Sequence, residues 1–248
     1  MKVLMFGWEF PPHIAGGLGT ACYGIVKGLA HNGVQTMFVM PSASGDEDRS
    51  AADIINASEI PVEVSSTMNV DDFLDKVQFV HIGTNMVPYL DPAEFHSLVE
   101  EDRKRQVRDF SIHYGQTYKF SGKYGSNLME EVARYAMVGG TIAMTHKGEF
   151  DVIHAHDWLT YMAGIAAKRL SGKPLVVHVH ATSFDRSSDN NIDTRVYDIE
   201  KRGMEAADRV ITSSARPSAH SVSIRRMISA WAPTSMPRVG SSRIRNCG

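Results

Sequence analysis

Short apolar runs alternate along this chain with stretches of helical periodicity, and this alternation constrains the fold more than any other feature. The runs at residues 2–7, 34–40, 152–155, 175–180 and 209–212 read as strands. Helical patterns occupy 19–32, 127–147, 158–170 and 195–207, with Thr20 near the start of the first and Gly33 just past its end. Further strands are expected at 60–64 and 77–82, and a charged helix at 92–109. Residues 41–50 form a polar loop, residues 114–126 a Gly/Tyr-rich one, and Gly139-Gly140 could kink the third helical stretch. Strands alternating with helices of about ten or more residues imply an α/β fold, a Rossmann-like parallel sheet with helices on both faces. Right-handed crossovers then bring every strand-to-helix loop to one edge, where open parallel sheets bind their ligands.

Composition narrows the class. Of 248 residues, 43% are apolar and 22% charged, as in a folded soluble chain. A net charge of −2 gives no sign of a nucleic-acid partner. Cys22 and Cys247, the only cysteines, form neither a disulfide framework nor a metal knuckle, so a reducing, cytoplasmic setting is expected. The N-terminus reads as a first strand and loop rather than a signal peptide, and no apolar run is long enough to span a membrane.

The last 34 residues break the pattern. Residues 215–248 carry six arginines and no lysine, aspartate or glutamate, which leaves −8 on residues 1–214. Rich in Ser and Pro, this tail reads as a disordered basic end, with a short docked helix around 222–231 as the alternative.

The polar residues gather at the strand ends. After the first strand comes Trp8-Glu9-Phe10-Pro11-Pro12-His13-Ile14-Ala15-Gly16-Gly17-Leu18-Gly19. Glycines opening a helix let backbone amides approach an anion, although the same loop could be a tight turn without a ligand. The spacing matches neither a dinucleotide fingerprint nor a P-loop. Asp151-Val152-Ile153-His154-Ala155-His156-Asp157-Trp158 places two alternating histidines on one face of a strand, with Asp157 positioned as the N-cap of the next helix. These could be satisfied polar groups, metal ligands, or hydrogen-bond donors to a sugar or a developing charge. The H-x-H-x-D-H hydrolase spacing is missing, which makes a metal the lesser alternative, and no nucleophile-elbow serine is present for a triad; what remains is a histidine lending a hydrogen bond, and no cofactor is expected. The next strand repeats the design in His178-Val179-His180-Ala181-Thr182-Ser183-Phe184-Asp185-Arg186, where Asp185-Arg186 could equally be a structural ion pair. Two such strand ends beside a glycine loop make a convergent polar site. By contrast, Glu200-Lys201-Arg202 and the residues through Asp208 read as a solvated helix face.

These four segments, extended to Gly7–Gly19, 151–158, 175–186 and 197–208, resemble in order and spacing the N-terminal half of retaining glycosyltransferases of the glycogen/starch synthase-like kind. The resemblance implies a GT-B architecture, in which two Rossmann-like domains face each other across a cleft. Residues 1–214 would be the acceptor-side domain, without its donor-binding partner. It also implies retaining transfer of glucose or a related hexose from an ADP- or UDP-sugar to a glycan acceptor, without a metal. Gly16, Gly17 and Gly19 correspond to the loop that approaches the donor, and His156 to the histidine supporting the transition state. His13, Asp157, Trp158, His180, Thr182, Asp185 and Arg186 correspond to residues lining the acceptor cleft. The sequence departs from the synthase pattern in having no lysine before Gly16, and Ser183 where similar sequences often carry Glu. Similarity stops near Ser214, and the tail beyond resembles an out-of-frame reading of a lost second domain. On these grounds the 248 residues are expected to be an inactive half. The alternatives are a glycan- or partner-binding module and a subunit completed by a separate donor-binding domain.

Overall fold

The computed structural model describes residues 1–62, 117–125, 128–186 and 192–212, and the backbone of 239–240. The strand expected at 77–82, the helix at 92–109 and nearly all of the tail lie outside the described residues. The chain divides into one unit of Met1–Ile60 with Thr117–Gly248, and a second of Pro61–Gln116. The sheet and the site belong to the first unit.

That unit runs β1 (Lys2–Phe6), α1 (Gly17–His31), β2 (Gln35–Met40), β3 (Asp53–Asn56), α2 (Leu128–Thr145), β4 (Val152–His156), α3 (Trp158–Ser171), β5 (Leu175–Val179), α4 (Ser183–Arg186), α5 (Thr194–Ala206) and β6 (Arg209–Thr212). Two tail residues, Val239–Gly240, add β7. All pairings are parallel, in the order β3-β2-β1-β4-β5-β6-β7. The order reverses between β1 and β4. Loops leaving those strands diverge there and open a crevice, the ligand position of open α/β sheets. The glycine loop follows β1 and the His-Ala-His-Asp-Trp segment closes β4, so both flank this reversal.

Register assigns the faces. On one face, Val3, Met5, Phe38, Met40 and Ile54 pack with Cys22 and Val26 of α1. Met5 pairs with His154 and His156 with His178, so the same face continues across β4 and β5 as imidazoles. On the other face α2 packs against α3. A Cβ on Gly139 would lie 2.8 Å from that of Ala163, and one on Gly140 2.9 Å from Leu170 Cδ1. The two glycines therefore let the helices approach, and α2 runs unbroken through them rather than kinking.

Three expectations at element boundaries change. Helix α1 begins at Gly17, with Gly16 as its N-cap. Strand β3 lies at Asp53–Asn56, where four residues beside a polar loop give too short a pattern to read. Short helix α4 occupies part of the stretch expected to be loop.

Candidate active site

The loop between β1 and α1 is organised by a residue the sequence reading did not single out. Glu9 is only 4% exposed. Its Oε2 accepts the amides of Ala15 at 2.7 Å and Gly16 at 3.1 Å, and its Oε1 accepts the Tyr124 hydroxyl. The Gly16 amide is thus already engaged, and the amides lacking intrahelical acceptors are those of the first turn of α1. A Cβ on Gly16 or Gly17 would meet nothing within 4 Å among the described residues, whereas one on Gly19 would lie 3.0 Å from Glu9 Cβ and Ile14 Cγ2. Packing explains glycine at 19 but leaves the space over 16 and 17 open. His13 is exposed, its Nε2 2.9 Å from Asp46 Oδ1, in a surface pair.

On β4 and β5 the alternating histidines face one way and stack. Ring centroids of His154 and His156 are 4.2 Å apart, those of His156 and His178 5.1 Å, and those of His178 and His180 4.3 Å. His156 is wholly buried, not exposed at the strand end; its Nδ1 lies 2.9 Å from Nε2 of His180, which is half-buried at the sheet edge. The Nε2 atoms of His154 and His156 are sealed from solvent without a partner among the described residues. Burial holds these rings neutral. It lowers His154 to about 4 and His178 to about 3, with the neighbouring histidines adding to the effect, and it drives His156 well below the usual imidazole value.

Asp157 turns the chain from β4 into α3 with φ +57° and ψ 171°. That conformation is rare for a residue with a Cβ and costs on the order of 1–3 kcal/mol. Asp157 stands at the N-cap position, yet its carboxylate makes no cap bond. It crosses to β5 instead, where Oδ1 accepts the amides of His180 at 2.7 Å and Ala181 at 3.4 Å, and Oδ2 meets the Arg186 guanidinium at 2.9 Å. The Asp157 amide donates to the His178 carbonyl at 2.9 Å. These bonds hold the strained turn and fix the end of β5 against the end of β4. Burial raises the Asp157 carboxyl, with Arg186 opposing.

Arg186 also reaches Glu200, at 3.5 Å. Asp185, the neighbour expected to pair with Arg186, accepts the amide and hydroxyl of Thr182, each at 2.7 Å. Glu200 is 2% exposed and accepts the Ser183 amide at 2.8 Å and its hydroxyl at 2.7 Å. It is not part of a solvated face, and burial pushes its carboxyl up to about 7. Trp158, 8% exposed, is packed as the first residue of α3 rather than presented to a cleft. His156, His180, Asp157, Thr182 and Arg186 are therefore brought together, while His13 and Trp158 stand apart. Cys22, from the second turn of α1, joins the group: it, His156 and His180 each bring one ligand-type atom within 4.8 Å of the others. No motif could have flagged it, because it meets the histidines only across the fold.

Among the described residues, no helix is long and apolar enough to cross a membrane. A family model described as the starch synthase catalytic domain matches residues 2–218. The chain is 23% identical over 225 residues to a glycogen synthase of Mycobacterium tuberculosis, covering 87% of this chain and 42% of that protein. It is 24% identical over 186 residues to an uncharacterized glycosyltransferase of Methanocaldococcus jannaschii, covering 75% of this chain and 32% of that one. It thus spans about a third to two fifths of the length of these relatives. A sucrose-phosphate synthase from Thermosynechococcus elongatus shares the fold at a TM-score of 0.55 and 13% identity, over 96% of this chain and 47% of that structure. With most of its length matched by the family model, and with its strand-end motifs gathered at the reversal of a parallel sheet, the chain belongs to the starch synthase catalytic domain family.

Proposed function

We propose that residues 1–214 form the acceptor-side wall of a retaining hexosyltransferase, moving glucose or a close relative from an ADP- or UDP-sugar to a glycan acceptor. The observation that carries this reading is the meeting, at the sheet reversal, of an open glycine turn with a buried histidine whose Nε2 lacks a partner. The first turn of α1 supplies amides and a positive helix end toward the donor's phosphates, as far as Gly16 and Gly17 leave room. His156 is held neutral, so it acts as a hydrogen-bond donor to the transferred sugar rather than as an acid. The His180 ring fixes its other nitrogen. Asp157 and Arg186 position the β5 end that carries His180 and Thr182. No metal enters this chemistry; hydrogen-bond donors and helix dipoles stabilise the departing phosphate.

Transfer needs groups on both sides of a closed cleft, and the match covers only 32% and 42% of these curated relatives. The 248 residues alone are therefore expected to turn over no donor. One observation favours a second reading, a glycan-binding module: His156 is wholly buried. Incubation with ADP- and UDP-glucose and maltooligosaccharide, alone and with a separately expressed donor-binding half of a relative, tests both. Activity only in the mixture supports the proposal. Robust transfer by the chain alone overturns the half-site. Saturable glucan binding with no transfer in either case favours the module.

A further inference from the structure

We propose that Cys22, His156 and His180 form a binding site for a soft divalent transition-metal cation of the zinc type. The three come from separate elements: the second turn of α1, the last residue of β4, and the residue following β5. One thiol sulfur and two imidazoles are a donor set that zinc and its relatives select, and that magnesium or calcium does not. The expectation of no metal rested on spacing along one strand, and this set takes a ligand from another part of the fold.

A second observation concerns the same ring. His156 is wholly buried, yet its Nε2 has no partner. An unsatisfied buried polar group costs about 1–3 kcal/mol, and native structures hold few of them. The other nitrogen of that ring, Nδ1, lies 2.9 Å from His180 Nε2; a cation taken up between the rings replaces this hydrogen bond, and the proton in it shifts to the far nitrogen of its own ring. Both ring nitrogens and the sulfur lie within 4.8 Å of one another. Bonds of about 2.0 Å to nitrogen and 2.3 Å to sulfur put tetrahedral donors roughly 3.5 Å apart, so any pair closes by at most about 1.3 Å on binding, while nitrogens 2.9 Å apart open by about 0.5 Å. His180 is half-buried at the sheet edge, which gives a cation a way in and leaves a fourth position for water.

The proton balance is simple. Burial raises the Cys22 thiol far above its ordinary value, aided by the charges of Asp157 and Glu9, so it enters as Sγ–H. The imidazoles enter neutral. Binding forms the metal–sulfur bond, breaks the S–H bond and releases one proton to solvent, and Asp157 supplies a nearby negative charge. A second grouping, His154, His156 and His178, also brings three nitrogens together. It lacks the sulfur and the edge ring, which favours the Cys22 set. Both groupings include His156, so a bound cation would withhold that ring from a sugar. This consequence rests on the transferase reading; the binding does not.

Cobalt(II) titration of the full 248-residue chain, followed by zinc calorimetry, tests the site without any activity assay. The expected result is one equivalent bound, a near-ultraviolet sulfur-to-cobalt charge-transfer band that zinc abolishes, and one proton released. In Cys22→Ser the band disappears and zinc affinity falls by more than about 100-fold, while circular dichroism reports an intact fold. His180→Gln, at a half-exposed position, gives the same loss should the cysteine variant fail to fold. Absence of stoichiometric binding overturns the proposal. So does undiminished binding in Cys22→Ser, which would assign the cation to His154, His156 and His178.

Discussion

One face of one sheet is built in two ways. Over β1 and β2 it is closed by α1 with Val3, Met5, Phe38 and Met40, an apolar cluster beside which, among the described residues, the Thr36 hydroxyl of β2 is buried without a partner. Over β4 and β5 the same face carries four stacked imidazoles, two of them with buried nitrogens left unpartnered. The first region is built for stability. The second gives up stability to keep polar atoms at the sheet reversal, where the site proposed above lies.

Substitution separates the two most sharply. Phe38 is fully buried, its ring pressed over Gly7. Phe38→Ala is expected to cost about 3–5 kcal/mol. His154→Leu, which removes an unsatisfied nitrogen, is expected to be neutral or stabilising by about 1 kcal/mol. Urea unfolding of both variants checks this, and an equal loss in both would erase the distinction.

Acid probes the imidazole region alone. His154, His156 and His178 are held below the ordinary value of 6.5, so the unfolded chain takes up more protons as the pH falls from about 6.5 toward 4, and stability is lost across that window. Glu200 opposes this. Its carboxyl, raised to about 7 in the fold against 4.5 ordinarily, favours the native state in acid and loses that contribution as the pH rises through 7. Three rings outweigh one carboxyl, and the unfolding free energy read from urea titration should fall by about 1–3 kcal/mol per pH unit. A flat profile would mean that water reaches these rings.

The smallest effect distinguishes packing from ligand space within a single loop. Gly19→Ala is expected to cost about 1–3 kcal/mol through overpacking against Glu9 and Ile14. Gly16→Ala should stay within about 0.5 kcal/mol of the parent. In the complete enzyme proposed above, Gly16→Ala should still weaken donor use, measured as KM for the nucleotide-sugar. Equal stability losses would make the turn purely structural.

The sheet, its long helices and the shared face of His154 and His156 were legible in the sequence because period and alternation are local. Strand β3 was not, being four residues long beside a polar loop. The site was legible where one motif carried it, as at His156 and His180. It was not where partners meet across the fold. Glu9 reads as one letter of an aromatic-proline loop until Ala15, Gly16 and Tyr124 are seen on its carboxylate. Glu200 reads as a surface charge until Ser183 and Arg186 are seen to hold it. Asp157 was placed correctly on the helix, but its side chain prefers two amides and a guanidinium on β5 to a cap bond in α3.

The join on either side of residues 61–116 has a consequence of its own. The Ser58 hydroxyl donates to the Pro41 carbonyl at 2.9 Å and accepts the Phe120 amide at 3.1 Å. The chain thus leaves the sheet-bearing unit and re-enters it at one fastened point, and no strand of the sheet is interrupted between them. One hydroxyl thus ties the end of β2 to the approach to α2, so Ser58→Ala would release the Pro41 carbonyl and the Phe120 amide together.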